Sequence, residues 1–210
     1  IVITNPGTYS DITGLSVAIN GGGGTGASLG SISTATNTSG GMNFSGSGTT
    51  TLSSINTYTG ATTVNGGALR LTGSADINAS SDITVNGAAA KLVQLSSTAV
   101  MPVVTLTQGT IDGTGTINTL NVASSAGNIL TAGNGGVGTL TVGSLSFSGA
   151  ATVNLGLNGM SVDTSIASTN LSTNAAGTVT LNVTNSGLWT NGTYPLIPYG
   201  GGGVGGAGFG

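Results

Sequence analysis

Along most of this chain apolar and polar residues alternate in short runs of period two. Thr62-Thr63-Val64-Asn65, Ala68-Leu69-Arg70-Leu71, Asp82-Ile83-Thr84-Val85, Thr139-Leu140-Thr141-Val142 and Thr178-Val179-Thr180-Leu181-Asn182-Val183 all follow it, and Gly or Asn punctuates the runs. Strict alternation sends successive side chains to opposite faces of a strand, and the Gly and Asn residues between runs supply turns. No segment carries the i, i+3, i+4, i+7 stripe of an amphipathic helix. The pattern predicts an all-β chain.

Internal repetition selects among all-β architectures. Thr63-Val64-Asn65-Gly66-Gly67-Ala68-Leu69-Arg70-Leu71 recurs 21 residues later as Thr84-Val85-Asn86-Gly87-Ala88-Ala89-Ala90-Lys91-Leu92. A further step of 21 reaches Thr105-Leu106-Thr107-Gln108-Gly109-Thr110-Ile111-Asp112-Gly113. That period is too short for a propeller blade and fits one coil of a parallel β-solenoid of roughly 21 residues per coil. Coils stack at about 4.8 Å, so ten would give a rod of roughly 50 Å. The same register predicts that Arg70, Lys91 and Asp112 form one vertical column, with Lys91 between the other two. We expect one elongated solenoid over 1–210. Residues 1–45 form an N-terminal flank of undefined structure, 46–160 the core coils, and 161–210 the last coils and a Gly-rich end.

Composition narrows the function classes. Charged residues are 3% of the chain, against about 25% in an average soluble domain. In a solenoid, like positions of successive coils touch, so a repeated charge repels itself while Asn, Thr and Ser join in hydrogen-bonded ladders. Disorder does not fit, because 37% of the residues are hydrophobic and only 4 are Pro. Two cations and a net charge of −3 cannot neutralise a row of phosphates, which excludes nucleic acid as a partner. No apolar run reaches the ~18 residues of a transmembrane helix. The chain begins Ile1-Val2-Ile3 without a visible signal peptide, and is read as a mature chain or a piece of a longer one.

The run Gly46-Ser47-Gly48-Thr49-Thr50-Thr51-Leu52, followed by Asn56-Thr57-Tyr58-Thr59-Gly60 and Thr62-Thr63-Val64-Asn65-Gly66-Gly67-Ala68-Leu69-Arg70-Leu71, resembles the autotransporter-associated β-strand repeat. This is the passenger-associated transport repeat of bacterial autotransporter-type surface proteins. Gly109–Ile117, Ala132–Val142 and Gly192–Gly200 look like the same family, so the resemblance covers roughly residues 46–200 and is strongest at 46–73, while residues 1–45 match only in style. The resemblance implies a right-handed parallel β-helix, export to the bacterial cell surface or medium, and a repeat without catalytic residues. The handedness comes from the resemblance alone.

Candidate chemistry is sparse. The chain has no His and no Cys, so neither a Ser-His-Asp nor a Cys-His arrangement exists, and it has no Glu. Asp76 and Asp82 are the nearest acidic pair and read as turn residues rather than paired glycosidase carboxylates. Ile111-Asp112-Gly113-Thr114-Gly115 resembles a calcium-binding Gly-Asp element once, without the repeat or the several carboxylates that calcium requires. Gly21–Gly26 lacks the Lys and the helix of a phosphate loop. No enzyme activity, cofactor or metal is expected.

The ends carry the remaining expectations. Ile1, Val2 and Ile3 at one end, and Trp189, Tyr194 and Tyr199 at the other, are candidates for subunit contact or for capping an otherwise open core. The reading is a non-catalytic extracellular stalk, fibre or display rod that self-associates end to end or continues into a longer chain. The alternative is an adhesin whose polar face binds glycans or another cell-surface ligand.

Overall fold

A computed structural model describes residues 40–210 except 136, 159–160, 175–176, 189–190, 201–204 and 207–210. Ser39–Gly210 forms one compact unit. Ile1, Val2, Ile3, Gly21–Gly26 and Trp189 lie outside the described residues.

In chain order the strands are β1 (Met42–Phe44), β2 (Thr49–Leu52), β3 (Thr62–Val64), β4 (Ala68–Leu71), β5 (Ile83–Gln94) and β6 (Val100–Gly113). They continue as β7 (Thr116–Val122), β8 (Ile129–Thr131), β9 (Gly138–Phe147), β10 (Ala151–Asn158), β11 (Ser161–Thr173), β12 (Val179–Asn185) and β13 (Gly205–Gly206). The long strands bend around corners, so each coil contributes to three parallel columns. The first stacks β1, β3, the start of β5, the middle of β6, the ends of β7, β9 and β11, and β13. The second stacks β2, β4, the ends of β5 and β6, β8, β10 and β12. The third stacks Val100–Met101 of β6, Thr116–Ile117 of β7, Thr141–Val142 of β9 and Ala167–Ser168 of β11 and ends at Tyr199; a parallel bridge between Ile55 and Asp76 precedes it in the chain. This is the all-β parallel β-solenoid that the sequence pattern predicted, with coils about 23 residues apart, and it matches the right-handed β-helix that the family resemblance implied.

Alternation sets the interior. Phe44, Val64, Val85, Leu106, Val122, Phe147 and Thr173 stand one above another in the first column. Leu69, Leu92, Ile111, Leu130 and Val153 do the same in the second, and Met101, Ile117, Val142 and Ser168 in the third. From Val64 to Phe147 the aliphatic and aromatic members are buried, each contributing about 1.5–3 kcal/mol by leaving water. Outward positions are joined by polar contacts between coils: Asn65 to Asn43, Ser146 to Asn121, Asn170 to Ser144 and Asn182 to Asn154. Corners need glycine where neighbouring backbone leaves no room for a side chain. Gly67 has φ 62 and lies against the Gly48 carbonyl; Gly113 has φ 133 and lies against the Gln94 carbonyl.

The spacing is not uniform, and this corrects the predicted charge column. In the first column Thr62 pairs with Ile83 and Ile83 with Val104, steps of 21 that match the sequence repeat. In the second column Ala68 pairs with Lys91, a step of 23, and Lys91 with Thr110, a step of 19. Arg70 therefore stacks on Val93, and Val93 on Asp112, while Lys91 stands in the neighbouring ladder. The cause is the corner between the columns. Asn86–Ala90 separates Val85 from Lys91, where the previous coil needs only Asn65–Gly67, and the register shifts there. Two extra residues preserve the alternation, so Leu92 still points inward.

The ladders predict a sharp contrast between the two sides of one strand system. Leu92→Ala is expected to cost about 2–5 kcal/mol, and Thr139→Ala, on an exposed outward position, within about 0.5 kcal/mol. Urea unfolding of the two variants measures both; equal costs would contradict the assignment of inward and outward faces.

Candidate functional site

Polar residues occur inside the solenoid mainly where a strand meets a corner, and they bond to neighbouring side chains and backbone there. Thr62 opens β3 at an inward position and is buried. Its Oγ1 lies 2.8 Å from the Tyr58 hydroxyl and 2.9 Å from Ser80 Oγ. Ser80 Oγ lies 2.8 Å from the Gly60 carbonyl oxygen and 3.0 Å from that of Asp82. Since a carbonyl can only accept, the Ser80 proton points there, Thr62 donates to Ser80, and Tyr58 donates to Thr62. Tyr58 thus fastens the corner between the third and first columns, half-buried against the core. Burial raises the Tyr58 pKa above 10.0, and the Thr62 hydroxyl, which can turn to a phenolate, offsets this in part.

Gln94 closes β5 and is fully buried. Its Nε2 donates to the carbonyls of Ala99 and Thr116, and its Oε1 accepts from Ser96 N–H. Ser96 in turn donates to the Gly73 carbonyl, so this corner ties several coils together. Asn128, just before β8, donates to the carbonyls of Leu106 and Ala123. Its buried Oδ1 has no partner, and exchanging the two amide atoms would set an oxygen against both carbonyls.

Asp112 is the most unusual charged group. Its side chain is 3% exposed and its Oδ2 lies 2.7 Å from Lys91 Nζ. Its Oδ1 accepts from the backbone N–H of Gly113 at 2.7 Å and of Asn134 at 2.9 Å. Asn134 adopts the left-handed conformation, φ 49 and ψ 46, inside a 3-10 turn at Gly133–Gly135 that brings its N–H over Asp112. One carboxylate therefore joins Lys91 from the coil before and Asn134 from the coil after. Asp76 and Asp82 serve their own turns, accepting from Asn78 N–H and from Thr84 Oγ1. Among the described residues no group of three or more potential metal ligands comes together.

Of the aromatic residues expected at the C-terminal end, Tyr194 is half-buried beside Gly192, and Tyr199 is 43% exposed. Tyr199 bridges Ser168 and extends the third column, where Ser168 N–H donates to the Pro198 carbonyl and Gly200 N–H to the Ser168 carbonyl. Leu196 and Ile197, which the sequence reading passed over, pack against the core here. At the end of the second column, Leu181 of β12 continues the inward ladder above Val153 and is 44% exposed.

One open cleft interrupts the wall. Its volume is about 330 Å³, between Thr131–Ala132 and Gly135 on one side, Asn154–Leu157 of β10 at the centre, and Thr184–Ser186 of β12 on the other. It lies where β10 overruns the coil and folds back antiparallel onto β11 with a register shift at Gly156 and Leu157. That is the only antiparallel pairing among the described strands.

Two measurements follow from these contacts. Removing Asp112 strands one buried and one half-buried N–H group, of Gly113 and Asn134, whereas Lys91 is 38% exposed and its ammonium is screened by water. Asp112→Ala is thus expected to cost about 2–3 kcal/mol and Lys91→Met about 1 kcal/mol or less in urea unfolding; the reverse order would contradict the account. For Tyr58, the folded pKa exceeds the unfolded one, so its contribution is complete below about pH 10 and is lost as pH rises through the folded pKa. Absorbance titration should show Tyr58 as a late-ionising phenol, and Tyr58→Phe should remove that step and its share of the alkaline loss of stability.

No curated protein and no solved structure matches this chain. The family model described as passenger-associated-transport-repeat matches residues 45–71, the circuit from β2 through the Tyr58 corner to β4, and in that circuit the chain is similar to the repeat of autotransporter passengers.

Proposed function

We propose that this chain is a non-catalytic stretch of a secreted or cell-surface bacterial passenger, acting as a stalk or display rod and able to lengthen end to end. The observation that carries this is the use to which its polar side chains are put. Asn43, Asn65, Asn121, Ser144, Ser146, Asn154, Asn170 and Asn182 bond to one another across coils, and the Lys91–Asp112 ion pair also joins coils. These groups hold the stack together rather than converge on a reacting atom. The repeat match over residues 45–71 supports export and surface display. The exposed, inward Leu181 of β12 supports lengthening, since among the described strands β12 pairs with β10 alone and a following coil could stack on its other side.

Electron microscopy of the native protein is the test, together with trypsin digestion. Rods or end-to-end filaments are expected, and compact round particles would overturn the reading. The chain offers trypsin only two cationic residues, Arg70 in β4 and Lys91 in β5, so the folded rod should resist cleavage that the urea-unfolded chain undergoes.

A further inference from the structure

We propose that the cleft between β8, β10 and β12 is a binding subsite for a single unit of a neutral saccharide. It goes beyond the stalk reading, which assigns no ligand, and takes the contacts of one named place. Solenoids carry ligand sites where a coil departs from the regular stack. Here three departures meet: the hairpin from β10 to β11, the register shift at Gly156, and the turn at Gly133–Gly135.

The chemistry of the lining selects the ligand class. The cleft is about 330 Å³ and none of its lining residues is charged, so nothing there compensates the desolvation of an ionic ligand. Thr131 Oγ1 accepts from Asn154 Nδ2 at 3.2 Å, which leaves its proton to donate. Thr184 Oγ1 donates to the Leu155 carbonyl at 3.3 Å, which leaves its lone pairs to accept. Asn154 is itself held by Asn182 Nδ2 at 3.0 Å. A hydroxyl donor on β8 and a hydroxyl acceptor on β12 thus line the same cleft on either side of β10, beside Asn154 and Gly156 respectively. A sugar hydroxyl both donates and accepts, and a neutral pyranose offers several on one ring. With no aromatic residue in the lining, affinity for one unit is expected on the order of 1 mM, gaining strength only where many copies stand side by side.

The test is titration of the ¹⁵N-labelled protein by NMR with cellotriose, mannotriose and chitotriose, and with sialyllactose as an anionic control. At least one neutral sugar should shift the amides of residues 131–135, 154–157 and 184–186 and leave the rest unchanged, with sialyllactose weaker. Thr131→Val and Thr184→Val, each checked for native fold by circular dichroism, should raise the dissociation constant about fivefold. No shift with any neutral sugar, shifts elsewhere, equal binding of sialyllactose, or unaltered affinity in folded variants would each overturn the assignment. Rod morphology is read separately, so a rod without these shifts removes the subsite and leaves the stalk.

Discussion

Everything in this fold depends on the backbone hydrogen bonds that run from one coil to the next. In a helix those bonds close within the element; here each coil leaves its N–H and C=O groups for its neighbours, so a coil by itself has no satisfied sheet. Position in the stack consequently governs each residue. A side chain is judged by what stands above and below it, and the composition follows: aliphatic on aliphatic within, amide or hydroxyl on its like without.

Corners are where that rule relaxes. The straight segments keep their alternation through every coil, whereas the connections vary in length, from Asn65–Gly67 to Asn86–Ala90 between the same two columns. Polar side chains enter the interior at these places because corner backbone has lost its ladder partners. Gln94, Ser96, Ser80 and Asn128 replace them with side-chain bonds. Asp112 differs, since it occupies an outward position and is buried only because the turn at Asn134 folds over it.

Much of this was legible in the chain itself. Period-two alternation identified the strands, and the 21-residue recurrence placed Thr63 under Thr84 and Val64 under Val85. It failed one corner later, pairing Arg70 with Lys91 instead of Val93, because a two-residue insertion keeps the hydrophobic pattern intact and leaves no trace in it. The inward parity of Thr62 and Gln94, each two residues from an interior Val or Leu, was a readable sign of polar corners. The cover over Asp112 was not readable, since it depends on the left-handed Asn134 a coil away. The cleft was hidden for the same reason: residues from β8, β10 and β12 meet there only after the stack has formed.

The near absence of ions from the exterior ladders has a consequence for the setting in which such a rod works. Cohesion between coils comes from dispersion and from neutral dipoles at contact distance, and among the described residues only Lys91–Asp112 joins opposite charges. Debye screening has almost nothing to act on. A coil stack built this way should therefore hold its shape in dilute fresh water and in brine alike, where one laced with surface ion pairs loosens as the counterion concentration climbs.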